Sequence, residues 1–144
     1  MADTVDTYNL QRFVDAQNGG NTYQRAADEL HRGRKTSHWM WYVFPQLAGL
    51  GFSATSWHYA ISSLDEARAY LDHPVLGPRL RECAGIVAQI QGRSALQVFG
   101  DPDDKKLQSS MTLFLHAAPD EPVFKQVLDQ YFGGESDPRT IKRL

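Results

Sequence analysis

Apolar residues recur along this chain at intervals of three and four positions, the spacing that places side chains on one face of an α-helix. The longest stripe runs over residues 76–90, and another runs over 107–114. No segment sustains the alternation of apolar and polar residues that marks a half-buried strand. The pattern therefore predicts an all-α fold, a compact single-domain bundle of about six to eight helices over residues 1–144 with no substantial sheet. We expect residues 1–6 to form a loose N-terminal tail.

Glycines and capping residues divide the chain into these helices. Gly19–Gly20 ends the first predicted helix. Asn21 with Gln24, and Ser63 with Glu66, match the capping box, in which two side chains satisfy free amide groups at the start of a helix. Helices are therefore predicted to begin at both places.

Composition excludes several classes of protein. The chain has 144 residues, 42% of them hydrophobic, and a formal net charge of −2, so it lacks the excess of Lys and Arg typical of a general nucleic-acid binder. Cys83 is the only cysteine, residues 1–6 do not resemble a signal peptide, and the longest apolar run, 39–44, is too short to span a bilayer. We expect a cytoplasmic protein with no membrane association, and a buried, unreactive Cys83 thiol.

Residues 32–46 hold the densest group of chemically active side chains. Cations precede a histidine and several aromatic residues, an order that suits a pocket with a cationic mouth and a stacking floor. The alternative is a core segment with a solvated basic flank, since buried aromatic residues mostly fill cores. The ligand-binding candidates are Arg34, Lys35, Trp39, Trp41 and Gln46, with His38 as a catalytic candidate.

A glycine-bearing loop follows. Residues 49–54 fit a loose dinucleotide fingerprint, but no strand is predicted before it, so we reject a Rossmann fold. Free amide groups before a helix capped by Ser53 would still suit an anion. On that helix, Trp57 is expected in the core, and Tyr59 is a ligand-binding candidate beside His38. The five histidines show no metal-ligand spacing, so no metal site is predicted. No cofactor is predicted either.

Residues 101–112 form a second dense group. Acidic residues at a helix start are favoured by the helix dipole, which explains them without any function. The functional interpretation makes Asp103 or Asp104 a general base or an acceptor for a ribose hydroxyl. Lys106, Ser109 and Thr112, three residues apart, would then share a ligand-binding face.

These two groups carry a family resemblance. The runs GRKTSHWMWYVFPQL (33–47), PVLGPRLREC (74–83) and DDKKLQSSMTLF (103–114) closely resemble the family known as domain of unknown function 1810. The resemblance covers roughly residues 10–144 and implies a small, all-helical, mostly bacterial protein with no established activity. Some members are loosely labelled calpastatin, but calpastatin inhibitors are disordered and this chain is predicted to fold. Lys105 stands where members commonly carry an apolar residue, so Lys106 is the matching lysine.

Two functional hypotheses follow. The first is binding of an anionic, ring-bearing small molecule, such as a nucleotide or an ADP-ribose-like compound, with its hydrolysis as a further step. The alternative is a protein–protein interaction module that presents an aromatic hot-spot patch and has no catalysis. The sequence leaves the ligand, the reaction and the oligomeric state open.

Overall fold

The computed structural model describes residues 5–144, and its secondary structure is helical. A single 3₁₀ turn, Gly19–Asn21, joins the first two helices. Over the described residues the strand-like pairing is one isolated bridge between Leu47 and Ile61. The all-α prediction is confirmed. The α-helices are α1 (Gln11–Asn18), α2 (Thr22–His31), α3 (Met40–Val43), α4 (Ala54–His58), α5 (Leu64–Asp72), α6 (Leu76–Gln89), α7 (Ala95–Phe99), α8 (Asp103–Ala117), α9 (Pro122–Phe132) and α10 (Pro138–Arg143).

Short helices explain why more are present than the six to eight that periodicity predicts. Helices α3, α4, α7 and α10 hold four, five, five and six residues. Segments of that length carry too few apolar positions to show a helical period in the sequence. The long helices match the predicted stripes.

Helices α6 and α8 lie at the centre of the bundle. Helix α8 packs against α5, α7, α9 and α10, while α6 packs against α2, α5 and α9. Leu107, Met111 and Phe114 of α8 are fully buried, and so are the neighbouring Ser110 and Thr112. Because its neighbours surround α8 on nearly all sides, they hold the N-terminal turn of this helix in place. That turn belongs to the candidate site.

The predicted caps hold in part. Ser63 Oγ accepts a hydrogen bond from Glu66 N, as expected, but the Glu66 carboxylate turns to Ser62 and Arg12 instead of closing the box. The capping box predicted at Asn21 is wrong. Asn21 adopts a left-handed conformation (φ 59°) without a side-chain cap, and Gln24 donates to an aspartate one turn later.

The N-terminal region begins to make contacts earlier than expected. Residues 1–4 of the predicted tail lie outside the described residues. Asp6 accepts hydrogen bonds from Leu10 N (2.7 Å) and Gln11 N (2.9 Å), which ties it to the start of α1. Asp6 is therefore part of the helical domain.

Two side chains illustrate how well burial could be foreseen. Cys83 is buried on the apolar face of α6, and burial raises the pKa of its thiol to about 12, so the expectation of an unreactive cysteine agrees with its surroundings. The expectation that Trp57 lies in the core is wrong, because 64% of its surface is exposed. Helix α4 lies at the rim of a cleft, and Trp57 projects from it.

Candidate functional site

Glu29 of α2 fixes the segment that carries the first group of candidate residues. Its carboxylate is 1% exposed and accepts hydrogen bonds from Thr36 N (2.7 Å), Ser37 N (3.0 Å), Ser37 Oγ (2.5 Å) and Trp39 Nε1 (2.9 Å). Burial raises the pKa of Glu29, but these hydrogen bonds outweigh it and hold the pKa at about 2. The carboxylate therefore stays ionised and orients residues 35–39.

The same bonds remove Trp39 from the list of accessible ligand-binding candidates. Its ring is 1% exposed and packs near Phe44 and Phe99, and its only polar atom, Nε1, donates to Glu29. Trp39 is a core residue that stabilises the segment, and it does not face a cleft.

Asp103, at the start of α8, joins the two candidate groups. Its carboxylate lies 2.8 Å from Lys35 Nζ and 3.5 Å from Lys106 Nζ. The Lys35 side chain is only 7% exposed, so this ion pair is shielded from solvent. The structure thus brings together residues 68 positions apart in sequence (103 minus 35).

Each lysine of this bridge also contacts an aromatic ring. Lys35 Nζ lies 5.2 Å from the Trp39 ring, and Lys106 Nζ lies 5.4 Å from the Trp41 ring. Both distances suit a cation–π contact. Lys106 therefore links Asp103 to Trp41.

The two candidate general bases differ in their surroundings. Asp103 faces the ammonium groups of Lys35 and Lys106. Asp104 Oδ1 is enclosed without a hydrogen-bond partner, and Asp104 lines none of the three spaces described next. Catalysis by Asp103, Asp104 or His38 stays a prediction.

Three adjoining spaces surround Trp41 and Lys106. The His38 cleft, of about 350 Å³, is lined by Lys35, Thr36, His38, Trp41, Phe99, Asp101 and Asp103 among others. The Trp41 pocket, of about 20 Å³, is lined by Trp41, Gln46, Trp57, Tyr59 and Lys106. The basic cleft, of about 550 Å³, is lined by Gln46, Phe52, Lys105, Lys106, Ser109 and Arg139.

The sizes of these spaces decide what each can hold. The Trp41 pocket has room for about one water-sized group. The His38 cleft and the basic cleft fall within the range of about 300–1,000 Å³ that small-molecule sites occupy. A ring therefore fits in either cleft and not in the Trp41 pocket.

His38 and Lys106 do not line one cavity, but their spaces adjoin. Trp41 lines both the His38 cleft and the Trp41 pocket, and Lys106 lines both the Trp41 pocket and the basic cleft. Pro102 lines both the His38 cleft and the basic cleft. The two clefts meet at the N-terminal end of α8.

Other predicted ligand-binding residues divide between cleft and scaffold. Tyr59 and Gln46 line the Trp41 pocket together with Trp41, as expected if these three residues belong to one site. Ser109 lines the basic cleft, although its hydroxyl donates to Asp137 Oδ2 (2.9 Å). Thr112 is fully buried, donates to Gln108 O and accepts from Asp137 N, so it anchors the chain before α10 and faces no ligand.

Arg34 lies apart from these spaces. It is exposed and lines none of the three. Its neighbour Lys35 turns inward because Lys35 N donates to Val98 O (2.7 Å) and its ammonium group reaches Asp103. Of the two cations expected at the pocket mouth, Lys35 therefore lines the His38 cleft and Arg34 lines none of the three spaces.

The anion site expected at the glycine loop stays a prediction. Helix α4 is only five residues long, and Ser53 caps it by accepting from Ser56 N. The loop packs closely against α10. Gly49 (φ +94°) leaves no room for a side chain beside the Arg143 guanidinium, and Arg139 Nη2 donates to Leu50 O (3.0 Å).

Two residues that the sequence did not single out complete the basic cleft. Phe52 is 91% exposed, and Arg139 reaches the cleft from α10. Trp57, expected in the core, lines the neighbouring Trp41 pocket. An aromatic residue inside a glycine-bearing loop was the available signal for Phe52. No sequence signal pointed to Arg139, because it lies 89 positions from Leu50, the loop residue that it contacts.

Residues 5–144 bring no group of three or more His, Cys, Asp and Glu side chains into an arrangement for a metal ion. None of the helices in that range is long and apolar enough to cross a membrane.

The chain belongs to the family described as "Protein of unknown function (DUF1810)", whose model matches residues 7–144. It is similar to the conserved hypothetical protein Rv1873 from Mycobacterium tuberculosis, known from a crystal structure. The two chains are 53% identical, the match covers 96% of this chain and 98% of that one, and the TM-score is 0.93. A comparison with curated proteins finds no match. The predicted family is confirmed, and it assigns no activity.

Proposed function

We propose that this protein binds a small anionic molecule carrying a flat ring, and that the basic cleft is the binding site. The observation that carries the proposal is an exposed aromatic side chain beside clustered cations. Phe52, 91% exposed, lines a cleft of about 550 Å³ together with Lys105, Lys106 and Arg139.

Exposure of Phe52 is costly without a partner. Burying a phenylalanine side chain stabilises a protein by about 1.5–3 kcal/mol. Because Phe52 is 91% exposed, it contributes almost none of this stabilisation to the fold. A ring that stacks on Phe52 recovers part of this energy when the ligand binds. The neighbouring exposed Trp57 extends the aromatic surface towards the Trp41 pocket.

The charges of the cleft favour an anion. Three cations face one carboxylate, Asp137, whose Oδ2 is engaged by Ser109, Thr140 N and Thr140 Oγ1. Lys105 pairs with Asp101 at 3.2 Å, but both side chains are mostly exposed, so this pair contributes about 0–1 kcal/mol and can be exchanged for a ligand phosphate. Lys106 is only loosely paired with Asp103 and can turn to the same ligand.

The proposal covers binding and assigns no reaction. AMP is a suitable first probe, because it joins a flat ring to a phosphate. We expect millimolar AMP to raise the Tm, since a ligand that binds only the folded state stabilises it. An absence of stabilisation by AMP, ADP and other anionic ring compounds would overturn the proposal.

The Phe52→Ala variant tests the ring contact. We expect it to weaken AMP binding by about five- to thirtyfold in calorimetric titration, because stacking of a base on an aromatic side chain contributes about 1–2 kcal/mol. The fold should be unaffected, since Phe52 is 91% exposed. Leu96→Ala is a matched control. Leu96 is 55% exposed on α7 and lines none of the three spaces, so its removal should leave the affinity unchanged.

Exposure of Phe52 and Trp57 also favours a second candidate, the protein interaction module. Aromatic residues are frequent hot spots of protein interfaces. The two candidates differ in their response to small anions. If no anionic compound binds, while Phe52→Ala and Trp57→Ala each abolish cross-linking to one identified protein, the module is the better account.

A further inference from the structure

The His38 cleft opens beside the basic cleft and is not needed for a ring and a single phosphate. We propose that the ligand is two-ended: its ring lies in the basic cleft, a diphosphate crosses the edge at Lys106 and Pro102, and an uncharged, sugar-like group lies in the His38 cleft. This inference rests on the proposed function and narrows its ligand class.

Continuity of the surface is the first argument. Pro102 lines both clefts, and Lys106 reaches the basic cleft on one side and Asp103, in the wall of the His38 cleft, on the other. The two clefts therefore share a wall at Pro102, and in the proposed complex the ligand crosses that wall on the protein surface. The nearby Lys105 ammonium is 3.2 Å from Asp101, another residue of the His38 cleft.

Charge at the edge between the clefts suits a diphosphate. Lys105 and Lys106 supply two ammonium groups there, and each has one ion pair, exposed or partly exposed, to exchange. The carboxylates of Asp101 and Asp103 also stand nearby and oppose an anion. Asp103, however, keeps its shorter contact to Lys35 (2.8 Å) when Lys106 turns away, so its charge stays compensated.

The His38 cleft itself suits an uncharged, hydroxylated group. The Lys35 ammonium disfavours a cation, while Asp101 and Asp103 disfavour a further anion. Hydroxyl groups can donate to a carboxylate such as that of Asp101 and exchange hydrogen bonds with the exposed side chains of His38 and Thr36. Phe99 and Trp41 provide an apolar back wall for the carbon face of a sugar.

Comparison of ADP with ADP-ribose tests this group, because ADP-ribose adds one ribose to the terminal phosphate. The ribose also removes the second ionisation of that phosphate, so any gain in affinity for ADP-ribose arises in spite of one negative charge fewer. We expect calorimetric titration of the full chain to give about tenfold tighter binding for ADP-ribose, from two or three additional hydrogen bonds. Equal affinities for the two probes would overturn the two-ended ligand and leave binding in the basic cleft intact. If neither probe binds, the two-ended ligand is overturned, and the proposed function fails with it when AMP and other anionic ring compounds do not bind either.

His38→Ala locates the added group. We expect about fivefold weaker binding of ADP-ribose and unchanged binding of ADP, with Thr36→Ala acting in the same direction. Both side chains are exposed, so the variants should fold normally. His116→Ala, an exposed histidine in the last turn of α8, is the matched control. An equal loss of ADP and ADP-ribose binding in His38→Ala would place the sugar elsewhere and overturn the assignment.

Discussion

Replacement of Glu29 by alanine should lower the free energy of unfolding by about 4 kcal/mol, the larger of the effects we expect on stability. The carboxylate is 1% exposed and accepts from two backbone amides, one hydroxyl and one indole N–H. Its removal leaves these donors in a space that protein atoms enclose. Urea denaturation followed by circular dichroism measures the change.

The control for Glu29→Ala is Glu135→Ala, which removes an exposed carboxylate that makes no side-chain hydrogen bond or ion pair among the described residues. We expect a change within about 0.5 kcal/mol there. A loss below about 1 kcal/mol in Glu29→Ala would contradict the role assigned to Glu29. Because Glu29 orients Ser37 and Trp39, we also expect weaker ADP-ribose binding through displacement of the neighbouring His38.

Acid titration of the wild type provides a second test of Glu29. Its pKa is about 2 in the folded protein, against an ordinary value of 4.5 in the unfolded chain. The lowered pKa means that Glu29 contributes stability above pH 4.5, and that this contribution of about 3 kcal/mol is lost as the pH falls from 4.5 towards 2. Glu29→Gln cannot titrate and should show a correspondingly flatter stability profile over that interval.

The sequence predicted the helices that form the core and missed the residues that tie the site together. Stripes such as Leu107, Met111 and Phe114 encode a buried face locally, and they are fully buried. Glu29 looks like any other charged residue of an amphipathic helix. Its partners come seven to ten positions later, in a segment without regular structure up to Trp39, so no periodic pattern reveals them.

Errors at the site have a common physical cause. Trp39 and Trp57 were judged by residue type, yet one is buried against Glu29 and the other is exposed at a cleft. Thr112 was predicted to share a polar face of α8 with Lys106. The Thr112 hydroxyl instead accepts a hydrogen bond from the backbone N–H of Asp137, so it faces the interior. Which polar or aromatic side chain meets solvent depends on contacts between distant segments. The structure brings the two predicted groups together near the start of α8, where Asp103 contacts Lys35.

Replacement of Gly77 by alanine should destabilise the protein by about 3 kcal/mol or more. A Cβ atom at Gly77 would lie 2.0 Å from Leu71 O and 2.9 Å from Leu71 C, both backbone atoms. A backbone carbonyl in α5 cannot swing aside as a flexible side chain can, so α5 and α6 would have to separate. Thermal and urea denaturation both measure the effect.

Gly85 lies on the same helix and supplies the opposite expectation. A Cβ at Gly85 meets nothing within 4 Å, so Gly85→Ala should stabilise the protein by about 0.5–1 kcal/mol through the better helix propensity of alanine. The two variants share one chemical change and one helix, and they differ only in what the added methyl group meets. Similar stabilities for the two would show that close approach of α5 and α6 at Gly77 does not govern their packing. A Gly77→Ala variant that loses most of its stability beside a stabilised Gly85→Ala would establish that contact as the reason for glycine at position 77.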